Sequence, residues 1–190
     1  MQTKTTHERG LALLLSLIVV SVVLAVGLSL LNITLKQFTL SATARDSEMA
    51  FHAANTGLEC MQHYRGQEAW RTVLLNDDAN PDTSAPELLC AGVEPTYIAT
   101  SHYLNGAEDQ YMYNYVYRYD VSDTCIETSM YLMDLRESDE ELSRSVNEGL
   151  SELECAAGVV CTTIFSRGYN RACGDLDSIR IVQRELTIQF

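Results

Sequence analysis

The stretch ERGLALLLSLIVVSVVLAVGLSLLNITLK, residues 8–36, holds 25 consecutive uncharged residues, Leu11 to Leu35, between Arg9 and Lys36. At about 1.5 Å rise per residue they make a helix of roughly 37 Å, longer than the ~30 Å hydrocarbon core of a bilayer. This run is expected to span a membrane. Upstream lies a ten-residue polar leader, Met1 to Gly10, in which Lys4 and Arg9 outweigh Glu8. Downstream, Lys36 and Arg45 are balanced by Asp46 and Glu48. The excess of positive charge before the span predicts a single-pass topology in the cytoplasmic membrane with the N-terminus inside.

That orientation exports residues 36–190 and with them all six cysteines, Cys60, Cys90, Cys125, Cys155, Cys161 and Cys173. An even count in an oxidising compartment predicts disulfides. Short loops favour Cys60 with Cys90 and Cys161 with Cys173, with other pairings left open. Zinc is disfavoured, because Cys60-x-x-His63 is the only close pair of ligand types and no second pair matches it. With about 35 residues given to leader and span, the 190-residue chain has room for one modest domain. Its net charge of -13, from 13 basic and 26 acidic residues, argues against a broad nucleic-acid-binding surface.

Three processing routes compete at the N-terminus. A secretory signal peptide has a shorter apolar core, and its candidate cleavage site here, Ala42-Thr43-Ala44, sits inside a continuing helical pattern. A permanently anchored extracytoplasmic binding or adhesion protein needs no cleavage. The third route rests on residues quoted above and below: Arg9-Gly10-Leu11-Ala12-Leu13-Leu14, the apolar run, then Ala44-Arg45-Asp46-Ser47-Glu48-Met49-Ala50-Phe51-His52-Ala53-Ala54 with Gly57 beyond. This arrangement resembles the class III signal and stem of type IV pilins and pseudopilins, closest to PilX-type minor pilins and K-type minor pseudopilins, over about the first 60 residues.

The resemblance implies cleavage between Gly10 and Leu11 by a prepilin peptidase on the cytoplasmic side. The apolar helix is then kept as membrane anchor and assembly element, with other pilin or pseudopilin subunits and membrane lipid as partners. Major pilins carry a glutamate at the fifth mature position, which is Leu15 here. In the family that glutamate is thought to pair with a neighbour's N-terminal amine, offsetting the cost of charge in lipid. K-type pseudopilins lack it and sit at the filament tip, so the resemblance implies a minor, tip-proximal subunit.

Within the span, Ser21, Ala25 and Ser29 recur every four residues, a spacing that suits close helix packing in lipid or is ordinary small-residue content. Gly27 and Asn32 are weak points for helix propensity. Past Lys36 the pattern turns amphipathic: Leu40, Met49, Ala50, Ala53, Ala54, Gly57, Leu58 and Met61 fall on one face. With no proline before Pro81, one helix is predicted from about Leu11 to Tyr64, stopped near Gly66. The expected organisation is therefore leader 1–10, transmembrane helix 11–35, amphipathic continuation 36–66 and extracytoplasmic head 67–190.

In the head, residues 76–97 read as loop. Asp78, Asn80 and Asp82 have the one-three-five spacing of a calcium loop, but Thr83 and Leu89 stand where its glycine and final acid belong. Tyr111, Tyr113, Tyr115, Tyr117 and Tyr119 alternate strictly and predict a strand, with further strands at 125–133, 160–167 and 179–190. On the last, Val182, Arg184, Leu186, Ile188 and Phe190 share one face. The tyrosine ladder is a candidate contact surface for carbohydrate, peptide or a neighbouring subunit. Packing against the long helix is its simpler reading. Residues 134–154 are acidic, with a capping box at Ser138-x-x-Glu141 and Leu142, Val146, Leu150 and Leu153 at helical spacing, and predict a short surface helix. The expected fold class is α+β, a long N-terminal helix packed on an antiparallel sheet. No catalytic motif or histidine ligand pair is found, so neither an enzyme nor a cofactor is expected, although a secreted enzyme is the third competing class.

Overall fold

The computed structural model describes residues 6–67, 87–104, 111–136, 139–145 and 152–190. The calcium-like spacing at Asp78, Asn80 and Asp82 lies outside them, as do Met1 to Thr5 and Ser138 of the capping box. Helix α1 runs unbroken from Thr6 to Arg65, starting inside the polar leader and passing through Gly10, Gly27 and Asn32. It ends as expected at Gly66, whose N–H still reaches the carbonyls of Gln62 and His63 at 3.3 and 3.2 Å. His63 and Arg65 place basic side chains in its last turn, where they complement the helix dipole.

The chain divides into two compact units, Met1–Arg45 and Asp46–Phe190. In the first, every apolar side chain described from Leu13 to Leu35 is exposed. The residues 36–45, expected to begin the amphipathic face, belong to this unit, and Leu40 is 72% exposed rather than buried. The buried face begins at Ala50 and continues through Ala53, Ala54, Gly57 and Met61, steps of three and four that stack on one side of a helix.

That face lies on a five-stranded antiparallel sheet. Its strands are β1 (Thr96–Leu104), β2 (Tyr111–Val121), β3 (Thr124–Asp134), β6 (Val160–Tyr169) and β7 (Gln183–Gln189), in spatial order β1-β2-β3-β6-β7. Two short strands, β4 (Leu142–Ser145) and β5 (Glu152–Cys155), pair with each other between β3 and β6. The β2–β3 connection is a two-residue turn at Ser122 and Asp123, both with positive φ, which suits the twist of a tight hairpin.

Register brings Tyr113, Tyr115, Tyr117 and Tyr119 beside Leu132, Met130, Thr128 and Ile126 of β3. Ile164, Ser166 and Gly168 of β6 continue these rows. With Ala53 and Met61 of α1 the apolar members form the main core. Helix and sheet touch most closely at two glycines. A Cβ on Gly57 would lie 2.6 and 2.7 Å from the methyls of Ile126 and Thr128, and one on Gly168 would meet the backbone of Ala50, Ala53 and Ala54.

The opposite sheet face carries a second cluster of Met112, Tyr131, Met133, Cys161 and Phe165, packed with Leu153 and Cys155 of β5. Here the expected surface helix over 134–154 is corrected to a β-hairpin among the described residues. Burying Leu153 and Cys155 on the sheet outweighs the local helical spacing.

Three disulfides fix the head: Cys60–Cys90, Cys125–Cys173 and Cys155–Cys161. The first matches the expected short loop, whereas the expected Cys161–Cys173 pair is corrected. Cys161 is the second residue of β6 and Cys173 lies beyond its far end, so the rest of the strand, roughly 26 Å, runs between them. The closed loops, with sequence separations of 48 and 6, rank the bonds. Loop-closure entropy assigns about 4 kcal/mol to Cys125–Cys173 and about 2 kcal/mol to Cys155–Cys161. Urea unfolding of the two double-alanine variants should show the larger loss for the Cys125/Cys173 pair; equal or inverted losses would contradict this ranking.

Candidate functional site

The apolar half of α1 is the first candidate. Leu15, Ser21, Ala25 and Ser29 are all exposed. Ser16, Ser21 and Thr34 donate their hydroxyl protons to the carbonyls of Leu13, Ile18 and Leu30 at 2.8, 2.8 and 2.9 Å. Back-bonding of this kind satisfies each hydroxyl within its own helix, so these groups can enter a medium without water. The half is long and apolar enough to cross a membrane. Gly10 and Leu11 lie within α1, and their side chains are outside the described set.

The tyrosine ladder does not form a surface. Tyr113, Tyr115, Tyr117 and Tyr119 are buried beneath α1, and Tyr97 meets Tyr117 edge-on with ring centroids 5.8 Å apart. The Tyr111 side chain lies outside the described set. Burial raises the pKa of Tyr115 to about 12, with the neighbouring Tyr113 and Tyr97 adding to it. Tyr117 and Tyr119 are pushed up as well, desolvation being the main cause.

Cys60 and its neighbour Tyr64 latch the end of α1 to the segment around Leu89. The Tyr64 hydroxyl accepts from the Leu89 N–H at 2.8 Å and donates to the Leu89 carbonyl at 3.3 Å, beside the Cys60–Cys90 bond. At the other end of the sheet an open cleft of about 420 Å³ is lined by Val93, Glu94, Thr96, Ile98, Arg118 and Asp120, among others. Asp120, Cys125 and Cys173 cluster there with ligand atoms within 4.8 Å. Both sulfurs are spent in a disulfide, and the Asp120 carboxylate accepts from the Cys173 N–H at 2.7 Å. The group therefore offers no thiolate to a metal.

A feature that the sequence reading did not assemble is a row of alternating charge across the second sheet face. Arg118, Glu127, Arg167 and Glu185 are direct cross-strand neighbours on β2, β3, β6 and β7. Glu127, with only 12% of its side chain exposed, takes Arg118 on one side and Arg167 Nη1 at 3.3 Å on the other. Arg167 Nε donates to Glu185 at 2.6 Å. Burial alone would lower the Arg167 pKa, yet the bonds and charges of Glu185 and Glu127 leave it raised. The charges complete one another, so the row pins strand register rather than presenting an unpaired ion. Its signal was available in the sequence, since each charge falls on the outward parity of its strand.

On the second face this ladder lies beside the cluster packed with β5, and among the described residues the longest exposed apolar stretch is α1 from Leu13 to Leu35. Comparison of the chain with protein-family models, curated proteins and solved structures finds no match to any of them.

Proposed function

We propose that this chain is a minor, tip-proximal subunit of a type IV pilus or type II secretion pseudopilus, inserted in the membrane as a precursor and cleaved after Gly10 by a prepilin peptidase. The observation that carries this reading is the division of labour along one helix. From Leu13 to Leu35 it exposes an apolar surface all round, and from Ala50 to Met61 it forms the core of an antiparallel sheet domain. Such a helix needs an apolar surround outside its own head. Lipid supplies it before assembly, and neighbouring helices supply it afterwards. Transfer between the two changes packing more than hydrophobicity, so a subunit can leave the bilayer for a filament without a large solvation barrier.

Leu15 fits a subunit that carries no buried carboxylate needing a neighbour's amine. The disulfide-bonded head suits an oxidising compartment outside the cytoplasm. Function then lies in assembly and surface contact rather than catalysis.

Three outcomes separate the competing readings. N-terminal sequencing of protein recovered from its native membrane is expected to begin at Leu11, and Gly10→Val is expected to keep its leader. An intact wild-type leader would identify a permanently anchored binding protein. A start near Asp46 would identify a product released by signal peptidase, and normal maturation of Gly10→Val would remove the basis for prepilin cleavage.

A further inference from the structure

The cysteines of the head are not joined in the order in which the chain runs. Cys60 and Cys90 are consecutive, but Cys125 is bonded to Cys173, and the Cys155–Cys161 bond is nested inside that loop. Delivery into an oxidising compartment behind an N-terminal span proceeds from Cys60 toward Cys173, so each thiol meets its predecessors first. Cys90 then finds Cys60, its native partner. Cys155 instead finds Cys125, still unpaired because Cys173 has not arrived. Cys125 and Cys155 are as far apart in sequence as Cys60 and Cys90, whose separation is 30, so loop closure is no bar to the wrong bond.

Nor can the fold prevent that bond at this stage. Cys125 lies at the start of β3, in register with Asp120, whereas Cys161 pairs with Met133 near the other end of the strand. About 27 Å of strand therefore separates Cys125 from the Cys155–Cys161 bond in the finished sheet, and a disulfide needs Cα atoms within about 7 Å. The sheet that holds them apart includes β6, Val160–Tyr169, which follows Cys155 in the chain. Once Cys125–Cys155 has formed, β5 cannot reach its place beside Met133 and Cys161, and Cys161 and Cys173 are left to each other. The product is a fully consecutive isomer with no thiol of its own to attack the wrong bonds.

We infer that a thiol–disulfide isomerase is a required maturation partner of this head, with the consecutive isomer as its substrate. This rests on the reading that the span delivers the head outside the cytoplasm. The exchange consumes no oxidant. The partner's thiolate attacks the Cys125 sulfur of Cys125–Cys155, forming a mixed disulfide and releasing the Cys155 thiolate. Cys155 attacks the Cys161 sulfur of Cys161–Cys173, which closes the native Cys155–Cys161 bond and releases the Cys173 thiolate. Cys173 then attacks the mixed disulfide at Cys125, closing Cys125–Cys173 and returning the partner's thiolate. In the finished head Cys125, Cys155 and Cys161 are buried, so a thiolate in solvent no longer reaches these sulfurs and the native pairing is retained. An oxidase alone makes bonds and cannot sort them.

The test expresses the full chain in a bacterial host whose extracytoplasmic disulfide isomerase is present or deleted, with its thiol oxidase intact. Free thiols are alkylated and the unreduced protein is digested with trypsin, which cuts after Arg118, Arg136, Arg144, Arg167, Arg171 and Arg180. Native pairing joins peptide 119–136 to peptide 172–180 and leaves peptide 145–167 closed on itself, whereas the consecutive isomer joins all three. Deletion of the isomerase should raise the three-peptide product at least about fivefold. An unchanged map between the two hosts would overturn the inference. Cys155→Ala combined with Cys161→Ala removes the rival partner, at the smaller of the two stability losses ranked above, and its Cys125–Cys173 link should form equally in both hosts. If that variant still depends on the isomerase, nesting is not the cause and the inference falls. Cysteines alkylated throughout in both hosts would show that the head never meets the oxidant, which overturns the export reading and this partner with it.

Discussion

Replacing Gly168 with valine is expected to destabilise the head by about 3–5 kcal/mol, enough to remove most of the stability of a small domain. The position is one where backbone meets backbone. A Cβ there would point into the Ala50 carbonyl oxygen and the Ala54 nitrogen, with the Ala53 carbonyl carbon 2.9 Å away. A flexible neighbour could rotate aside, but a helix can only retreat as a body. Retreat would open gaps around Ala50, Ala53, Ala54 and Met61, all of which are buried, and would strain the Arg184–Ser47 bond. Gly174, with nothing within 4 Å of its would-be Cβ, is the internal control. Gly174→Ala should stay within about 0.5 kcal/mol of the parent. Denaturant unfolding of the detergent-solubilised chain, followed by near-ultraviolet circular dichroism, measures both. A Gly168→Val midpoint equal to that of Gly174→Ala would show that the helix and sheet are not in this contact.

This glycine marks the boundary of what local sequence can convey. The helix was legible because its evidence is local: no proline before Pro81, an apolar run, then spacings of three and four up to a stop at Gly66. Strands β2, β3 and β6 were legible for the same reason, since alternation is written residue by residue. That Gly168 must lack a side chain depends on Ala50 and Ala54, more than a hundred residues upstream, and no pattern around Gly168 announces it. The disulfides divide in the same way. Cys60 and Cys90 close a short loop and are paired as proximity suggests, whereas Cys161 and Cys173 are close in sequence and held apart by the rigid length of β6.

Where the reading failed, a distant surface outvoted a local preference. Leu142, Val146, Leu150 and Leu153 have helical spacing, but the second face of the sheet presents Tyr131, Met133 and Phe165, and a hairpin edge delivers Leu153 and Cys155 onto it. Strand β1, Thr96–Leu104, was missed although its threonines, tyrosines and isoleucine favour a strand; its first residues adjoin a turn-rich stretch that read as loop. At the C-terminus the strand begins at Gln183 instead of Ile179, because Asn170 takes the Arg180 and Val182 backbone groups that would have extended a ladder. The tyrosine ladder is the intermediate case. Alternation gave the strand and the shared face, but whether that face met solvent or helix depended on Met61, Leu132 and Ile164 lying against it.

Burial of that ladder sets the alkaline limit of the fold, and the head is expected to unfold cooperatively as pH rises from about 10 to 12. The sign follows from which state holds the proton. Below pH 10 the phenols are neutral in both folded and unfolded chains, and the pairing of states is unaffected. Above it the unfolded chain ionises first, because desolvation in the core raises Tyr115 to about 12 and raises Tyr117 and Tyr119 as well. The stability contributed by keeping these phenols neutral is therefore complete below the unfolded pKa and drains away toward the folded one. For Tyr115 alone the loss by pH 12 is about 2 kcal/mol, and three such groups together draw on much of the roughly 5–15 kcal/mol that a small domain holds in reserve. A rapid pH jump read at 295 nm, where phenolate absorbs, should separate exposed tyrosines that ionise at once from a buried set that ionises only as near-ultraviolet dichroism collapses. Tyr115→Phe removes one titrating group and should move the midpoint of the slow phase to higher pH. If all tyrosines ionise in the first phase while the dichroism persists, the ladder is open to water and its place beneath α1 is wrong.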